Sequence, residues 1–197
     1  MPSSIPSFLV VDNYDSFTYN LVHLLEDILQ EDVDVLRADE IQLEELQRYQ
    51  AVILSPGPGL PDEHANLIPI VKELFQMKKK VLGVCLGMQA IAVASGGKLI
   101  NMDEVHHGVA HLLHELELEH SVFKDLELPL KVARYHSWVI DEDNLDKTWK
   151  ITARDSDGNP MAIQHVNNRF IGIQFHPESI LTPQGKKMIW NFLHLAE

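Results

Sequence analysis

The sequence predicts an α/β protein: a mostly parallel, twisted sheet flanked by helices, with a small antiparallel extension. Three observations carry that expectation. Short apolar runs alternate with helical stretches through the first half of the chain. At Gly83 to Gln89 an apolar run passes straight into a helical one across the pattern G-x-C-x-G. The second half instead strings short strand-like runs together with few helices between them. Strands that alternate with helices pair in parallel through right-handed crossovers, with helices on both faces. The later runs point to an antiparallel extension or a curled edge.

Phe8 to Val11 is an apolar run ending in the polar stretch Asp12 to Ser16, which reads as a buried strand and a loop. Phe17, Asn20, Leu21, Leu24, Leu25 and Ile28 recur at helical spacing, with Ser16 as the expected N-cap. Val33 to Val35 and Ala51 to Leu54 are the next strands, the latter stopped by Ser55 to Gly59. Ile68 to Met77 reads as a helix. Val81 to Val84 is a strand, followed directly by a helix over Leu86 to Ala94 that Gly96 and Gly97 close. Leu112 to His120, Leu130 to Arg134, Ile151 to Ala153, Met161 to His165 and Phe170 to Phe175 are the strand-like runs of the second half. Pro183 to Leu195 is the closing helix, with Met188, Ile189, Phe192 and Leu193 on one face. No repeat, low-complexity tract or long linker interrupts the chain, so a single domain over 1–197 is the simplest account.

The bulk composition is that of an ordinary folded protein, 45% apolar and 23% charged over 197 residues. A net charge of −13 argues against a broad footprint for nucleic acid or an anionic membrane. Lys78 to Lys80 is the one basic run of note and reads as a solvated helix end. No window approaches the roughly 18 consecutive apolar residues of a membrane span. Met1 to Ser4 opens no secretory signal, and the single cysteine, Cys85, precludes an internal disulfide. A cytoplasmic enzyme is the expected class.

Cys85 carries the chemistry. A lone cysteine is most often a buried structural residue. Here Gly83 and Gly87 flank it at a strand–helix junction, the layout in which a tight turn lifts a nucleophile above the C-terminal edge of a parallel sheet. The helix that follows points partial positive charge at the sulfur and favours the thiolate. Such a nucleophile needs a histidine base, and the base needs an orienting acceptor. Of the 11 histidines the best placed is His176, at the end of the run Gly172 to Phe175. Pro177 breaks the strand so that Glu178 can return to the imidazole. Attack on an acyl carbon creates an oxyanion that backbone N–H groups must hold. The Leu86 amide and the glycines of Ser55 to Gly59 are the candidate donors.

The segments G-V-C-L-G-M-Q, S-P-G-P-G-L-P, R-Y-H-S-W and G-I-Q-F-H-P-E-S resemble the four signatures of class I (triad) glutamine amidotransferases, and together they span residues 55 to 179. V-D-N-Y-D-S-F-T-Y-N-L-V near the start and E-S-I-L-T-P-Q-G-K near the end resemble one branch of that family. This branch holds the small subunit of anthranilate synthase and the glutaminase subunit of aminodeoxychorismate synthase. The resemblance implies a flavodoxin-like sheet and hydrolysis of L-glutamine to glutamate and ammonia, with Cys85 as nucleophile, His176 as base and Glu178 as its orienter. It implies oxyanion donors at Gly57 and Leu86. It further implies that Gly57, Pro58, Gly59 and Gln89 hold glutamine, with Ser137 and Trp138 contacting its α-amino and α-carboxylate end through backbone groups. No metal or organic cofactor is expected on this chain. The expected partner is a larger chorismate-using synthase subunit that carries Mg²⁺ and makes anthranilate for tryptophan or aminodeoxychorismate for folate. Two departures stand out: Glu104 to Gly108 replaces a Lys-x-x-His-Gly pattern, and Trp138 stands where relatives often have leucine.

The rivals differ in testable ways. An α/β-hydrolase orders its triad nucleophile, acid, histidine; here the histidine precedes the acid. A cysteine peptidase would cleave peptides rather than release ammonia. A catalytically silent regulatory subunit would be expected to lack part of the triad, and all three residues are present.

Overall fold

A computed structural model describes residues 7–102, 108–119 and 121–195. Among the described residues the elements run β1 Phe8–Asp12, α1 Thr18–Leu29, β2 Asp34–Arg37, β3 Ala51–Leu54, α2 Leu67–Gln76, β4 Lys80–Val84, α3 Leu86–Ala94, β5 Lys98–Asn101 and β6 Val109–Leu112. The chain continues with β7 Lys131–Arg134, β8 Trp138–Asp141, β9 Trp149–Arg154, β10 Pro160–His165, β11 Phe170–Ile173 and α4 Gly185–His194.

Seven strands form one sheet in the order β2-β1-β3-β4-β11-β10-β9. The first five pair in parallel, and β10 and β9 turn antiparallel at one edge. Two small antiparallel pairs, β5 with β8 and β6 with β7, make up the rest of the extension. The fold class read from the sequence is therefore the one observed.

The central strands are buried on both faces, which is why they read as unbroken apolar runs rather than alternating ones. Strand pleat sorts their side chains into two cores. Val10, Ile53, Leu82 and Ile171 pack with Leu21 and Leu25 of α1 and Met188 and Phe192 of α4. Leu9, Val11, Leu54 and Val81 pack with Leu67, Ile70 and Leu74 of α2 and Met88 and Ile91 of α3.

Several local expectations are corrected. Ser16 does not cap α1. The N-cap is Phe17, which makes no side-chain cap bond, while the Asp15 carboxylate accepts from the Phe17 amide at 2.7 Å. The run Leu112 to His120 is not a strand as a whole. Pairing ends at Leu112, and His114 keeps a single bridge to Arg154; His120 lies outside the described residues. The lysine run is also not simply solvated: Lys79 Nζ donates to the carbonyls of Gln47 and Tyr49, and Lys80 Nζ to those of Leu193 and Leu195. These ammonium groups tie loop ends together across the sheet's lower edge. Strands β5 and β8 had no counterpart among the sequence-based elements.

Candidate active site

Four strands deliver the site, each at its C-terminal end. Asn13 follows β1, Ser55 to Gly59 follow β3, Cys85 follows β4, and Gln174 and His176 follow β11. Asn13 and Ser55 lock the first two loops together. The Asn13 amide donates to Ser55 Oγ at 3.0 Å, and Asn13 Nδ2 donates to the Ser55 carbonyl at 2.9 Å.

Cys85 sits at φ 52, ψ −105, a conformation rarely adopted by a residue with a side chain. Its amide donates to the Ile173 carbonyl at 2.8 Å, and its carbonyl accepts from the Gln89 amide at 3.1 Å. The bend between β4 and α3 is tight. A Cβ on Gly83 would lie 2.5 Å from the Gly87 backbone, so the strand and helix can approach this closely only through glycine. Gly57 shows the same logic beside the helix start: its Cβ would lie 2.4 Å from Leu86 Cδ2 and 2.8 Å from Asn13 Cβ. The structure thus brings Gly57 and Leu86 together next to Cys85. As the first residue of α3, Leu86 carries an amide with no intrahelical acceptor.

His176 and Glu178 are joined at 2.6 Å between Nδ1 and Oε1, with side chains 3% and 0% exposed. Phe17 and Tyr135 set ring edges against the imidazole, at centroid distances of 5.5 and 4.8 Å. Burial disfavours the imidazolium. Interaction with the Cys85 thiol and the bond to Glu178 outweigh burial and raise the His176 pKa to about 10. Nε2, the ring atom left for the sulfur, makes no hydrogen bond that meets normal distance and angle limits. The sulfur therefore acts on the ring from nearby without a fully closed bond.

A cleft of about 400 Å³ opens onto Cys85, with Gly57, Pro58, Gly59, Leu86, Gln89, Ser137 and Trp138 among its walls. Every site residue read from the sequence therefore lines this cleft or, in the case of His176 and Glu178, backs the sulfur. Glu63 also lines it and holds its rim by accepting from the Leu60 amide at 2.8 Å. The carbonyls of Ser137 and Trp138 are committed within the protein. Ser137 accepts from the Met102 amide at 2.7 Å; Trp138 accepts from Gln89 Nε2 at 3.1 Å and pairs with His136 Nδ1 at 3.0 Å. The loop Glu104 to His107 lies outside the described residues.

Sequence reasoning did not assign roles to Asn13, Gln174, Arg134, His136 or Asp155. Arg134 and Asp155 form an ion pair at 2.9 Å with both side chains 1% exposed, and Arg134 Nε donates to His136 Nε2 at 3.2 Å. Burial pulls the Arg134 pKa down while Asp155 pushes it back up. Burial would raise that of Asp155, but bonds from Asn159 and the Arg134 charge hold it below its ordinary value. A glutamine inside the apolar run Phe170 to Phe175 was the available signal for Gln174, because an extended chain's period of two places it on the face of His176.

The model of the family described as Glutamine amidotransferase class-I matches residues 9–196. The chain belongs to the class I glutamine amidotransferases. Within that family it is 41% identical to anthranilate synthase component 2 of Pseudomonas aeruginosa, over 94% of each chain. It is 40% identical to aminodeoxychorismate synthase component 2 of Escherichia coli, covering 94% of this chain and 98% of that one. It is also 40% identical to a stretch of the bifunctional protein TrpGD of Thermotoga maritima, over 96% of this chain, which spans only 32% of that protein. Among solved structures, a Thermoplasma acidophilum protein assigned to GMP synthase superposes with a TM-score of 0.86 at 24% identity, covering 98% of this chain and 94% of that one. This class I amidotransferase has no helix, among its described residues, long and apolar enough to cross a membrane.

Proposed function

We propose that this chain is a glutaminase that frees ammonia from L-glutamine on Cys85 and delivers it to a chorismate-using synthase subunit for anthranilate formation. The observation that carries the reading is the buried His176–Glu178 pair behind a cysteine held on a strained strand–helix turn. Glutamine occupies the cleft at Gly57, Pro58, Gly59, Gln89, Ser137 and Trp138. The Cys85 thiolate attacks the side-chain amide carbon, and the amides of Gly57 and Leu86 take the oxyanion. The C–N bond breaks as His176 gives its proton to the leaving ammonia. Water, deprotonated by His176, then hydrolyses the γ-glutamyl thioester to glutamate and returns the thiol. The reading places no metal or organic cofactor on this chain, Mg²⁺ on the partner, and the complex in the cytoplasm.

Aminodeoxychorismate formation is the second reading, and identities of 41% and 40% to the two kinds of relative support both. One subunit serving both partners fits the same observation. Two experiments test the proposal. Cys85→Ala is expected to abolish ammonia release, a loss of several orders of magnitude, while circular dichroism and melting stay native. A folded Cys85→Ala protein that still hydrolyses glutamine would sink it. Capture of the large subunit, followed by identification of its chorismate product, separates the two pathways. A silent regulatory subunit would bind glutamine yet resist alkylation of Cys85 by a glutamine-mimicking electrophile.

A further inference from the structure

We infer that Gln174 is a further catalytic residue: its side-chain N–H holds the Cys85 sulfur as a thiolate, and Gln89 sets its orientation. This rests on the glutaminase reading for its purpose, though not for its geometry. Gln174 Nε2 lies 3.6 Å from Cys85 Sγ, within hydrogen-bond reach of sulfur. Its Oε1 accepts from Gln89 Nε2 at 3.2 Å, and its backbone amide is bound to the Met161 carbonyl at 2.9 Å. The residue is 0% exposed.

The direction of this amide is determined by the network. A carboxamide can be turned end for end, and only its partners decide which end is nitrogen. Gln89 Nε2 also donates to the Trp138 carbonyl, a backbone acceptor that has no alternative orientation. Gln89 must therefore present N–H groups both to Trp138 and to Gln174. Gln174 in turn must offer its oxygen to Gln89 and its nitrogen to the sulfur. The reverse orientation would set two donors against each other and aim an acceptor at Sγ. A donor aimed at sulfur strengthens as negative charge builds there, so it favours the thiolate and the attacking form over the thiol. The same relay links a cleft-wall residue, Gln89, to the nucleophile.

Cys85 is the only cysteine, so alkylation by iodoacetamide reports on this sulfur alone. The titratable groups around it are His176 and Glu178 behind it and Glu63, Tyr135 and His136 in the cleft. The Gln174 side chain bonds to Gln89 and Cys85 rather than to any of these groups. Gln174→Met keeps length and removes the donor. It is expected to slow alkylation at pH 7 about tenfold, the loss that one hydrogen bond to a charged group brings. In strong alkali, where the thiol ionises unaided, the variant and native rates should converge. A residue that only fills space would lower the rate at every pH or at none. If Gln174→Met fails to fold, Gln89→Met tests the same relay from its far end and is expected to slow alkylation at pH 7 by a smaller factor. A rate–pH profile superimposable on the native one, in either folded variant, overturns the inference. Should Cys85→Ala abolish ammonia release while Gln174→Met alkylates like the native protein, this inference falls and the glutaminase reading stands. A slowed profile in a protein that never hydrolyses glutamine leaves the opposite result.

Discussion

Cys85 holds a backbone conformation that costs about 1–3 kcal/mol, and the surrounding bonds to Ile173 and Gln89 keep it there. The return is a sulfur lifted off the sheet edge and set against a buried imidazole. The buried imidazole of His176 also bears on stability. Its pKa is about 10 in the folded protein against an ordinary 6.5. Between those values the native protein retains a proton that the unfolded chain has released. The contribution of this group to stability is therefore complete below about pH 6.5 and fades as pH rises towards 10. Urea midpoints at pH 6 and pH 9 should show the native protein losing stability across that range. Glu178→Gln, which keeps an oxygen facing Nδ1 but removes its negative charge, should lose less across it and should also lower glutamine turnover. An equal or steeper loss in the variant would contradict the assignment. At this scale the candidate triad and the glycines were legible because each has a fixed chemical reason to sit where it does. Gln174 was not, since its meaning lies in which neighbour its amide faces.

The elements around the site are held by polar pairs as much as by packing. Strand β7 carries Arg134 to Asp155, which opens the turn between β9 and β10 and accepts from the Asn159 amide and side chain. Breaking a buried pair by removing one partner strands the other charge. Asp155→Ala is expected to destabilise the protein by about 3–5 kcal/mol in a urea titration. A loss below about 1 kcal/mol would show that His136 and the Met102 sulfur, 3.8 Å from Arg134 Nη2, suffice for the guanidinium. The helices and central strands were readable because both cores demand apolar residues at set intervals. The run Leu112 to His120 misled because its apolar residues alternate, yet beyond Leu112 its described residues keep only the single bridge of His114 to Arg154. Leu113 packs into one core, and the Glu117 amide bonds to Thr152 outside any ladder. Strands β5 and β8 escaped notice because each offers only two or three apolar residues, Leu99 and Ile100 in one and Trp138 to Ile140 in the other, too few to mark a strand.

Seen whole, the chain closes its first strand and its last helix into one core, with Val10 and Phe192 in the same cluster. The cleft at the sheet edge is open to solvent, so ammonia freed there would escape without a partner to receive it. On the proposed function, glutamine hydrolysis by the isolated chain is expected to be weak and to rise when the proposed chorismate-using subunit is added, as followed by ammonia release. Full turnover by the chain alone would count against that dependence. The sequence by itself determined the fold class and singled out Cys85, His176 and Glu178 as candidates for nucleophile, base and orienting acid. Apolar periodicity and the steric need for glycine are local properties that survive without coordinates. Only the tertiary structure decided that four strand ends converge on one sulfur, that Arg134 finds Asp155, and that an amide chain runs from Trp138 through Gln89 and Gln174 to Cys85. Those contacts join residues up to 89 positions apart, and hydrogen bonds of that range are chosen by packing, not by neighbours in the chain.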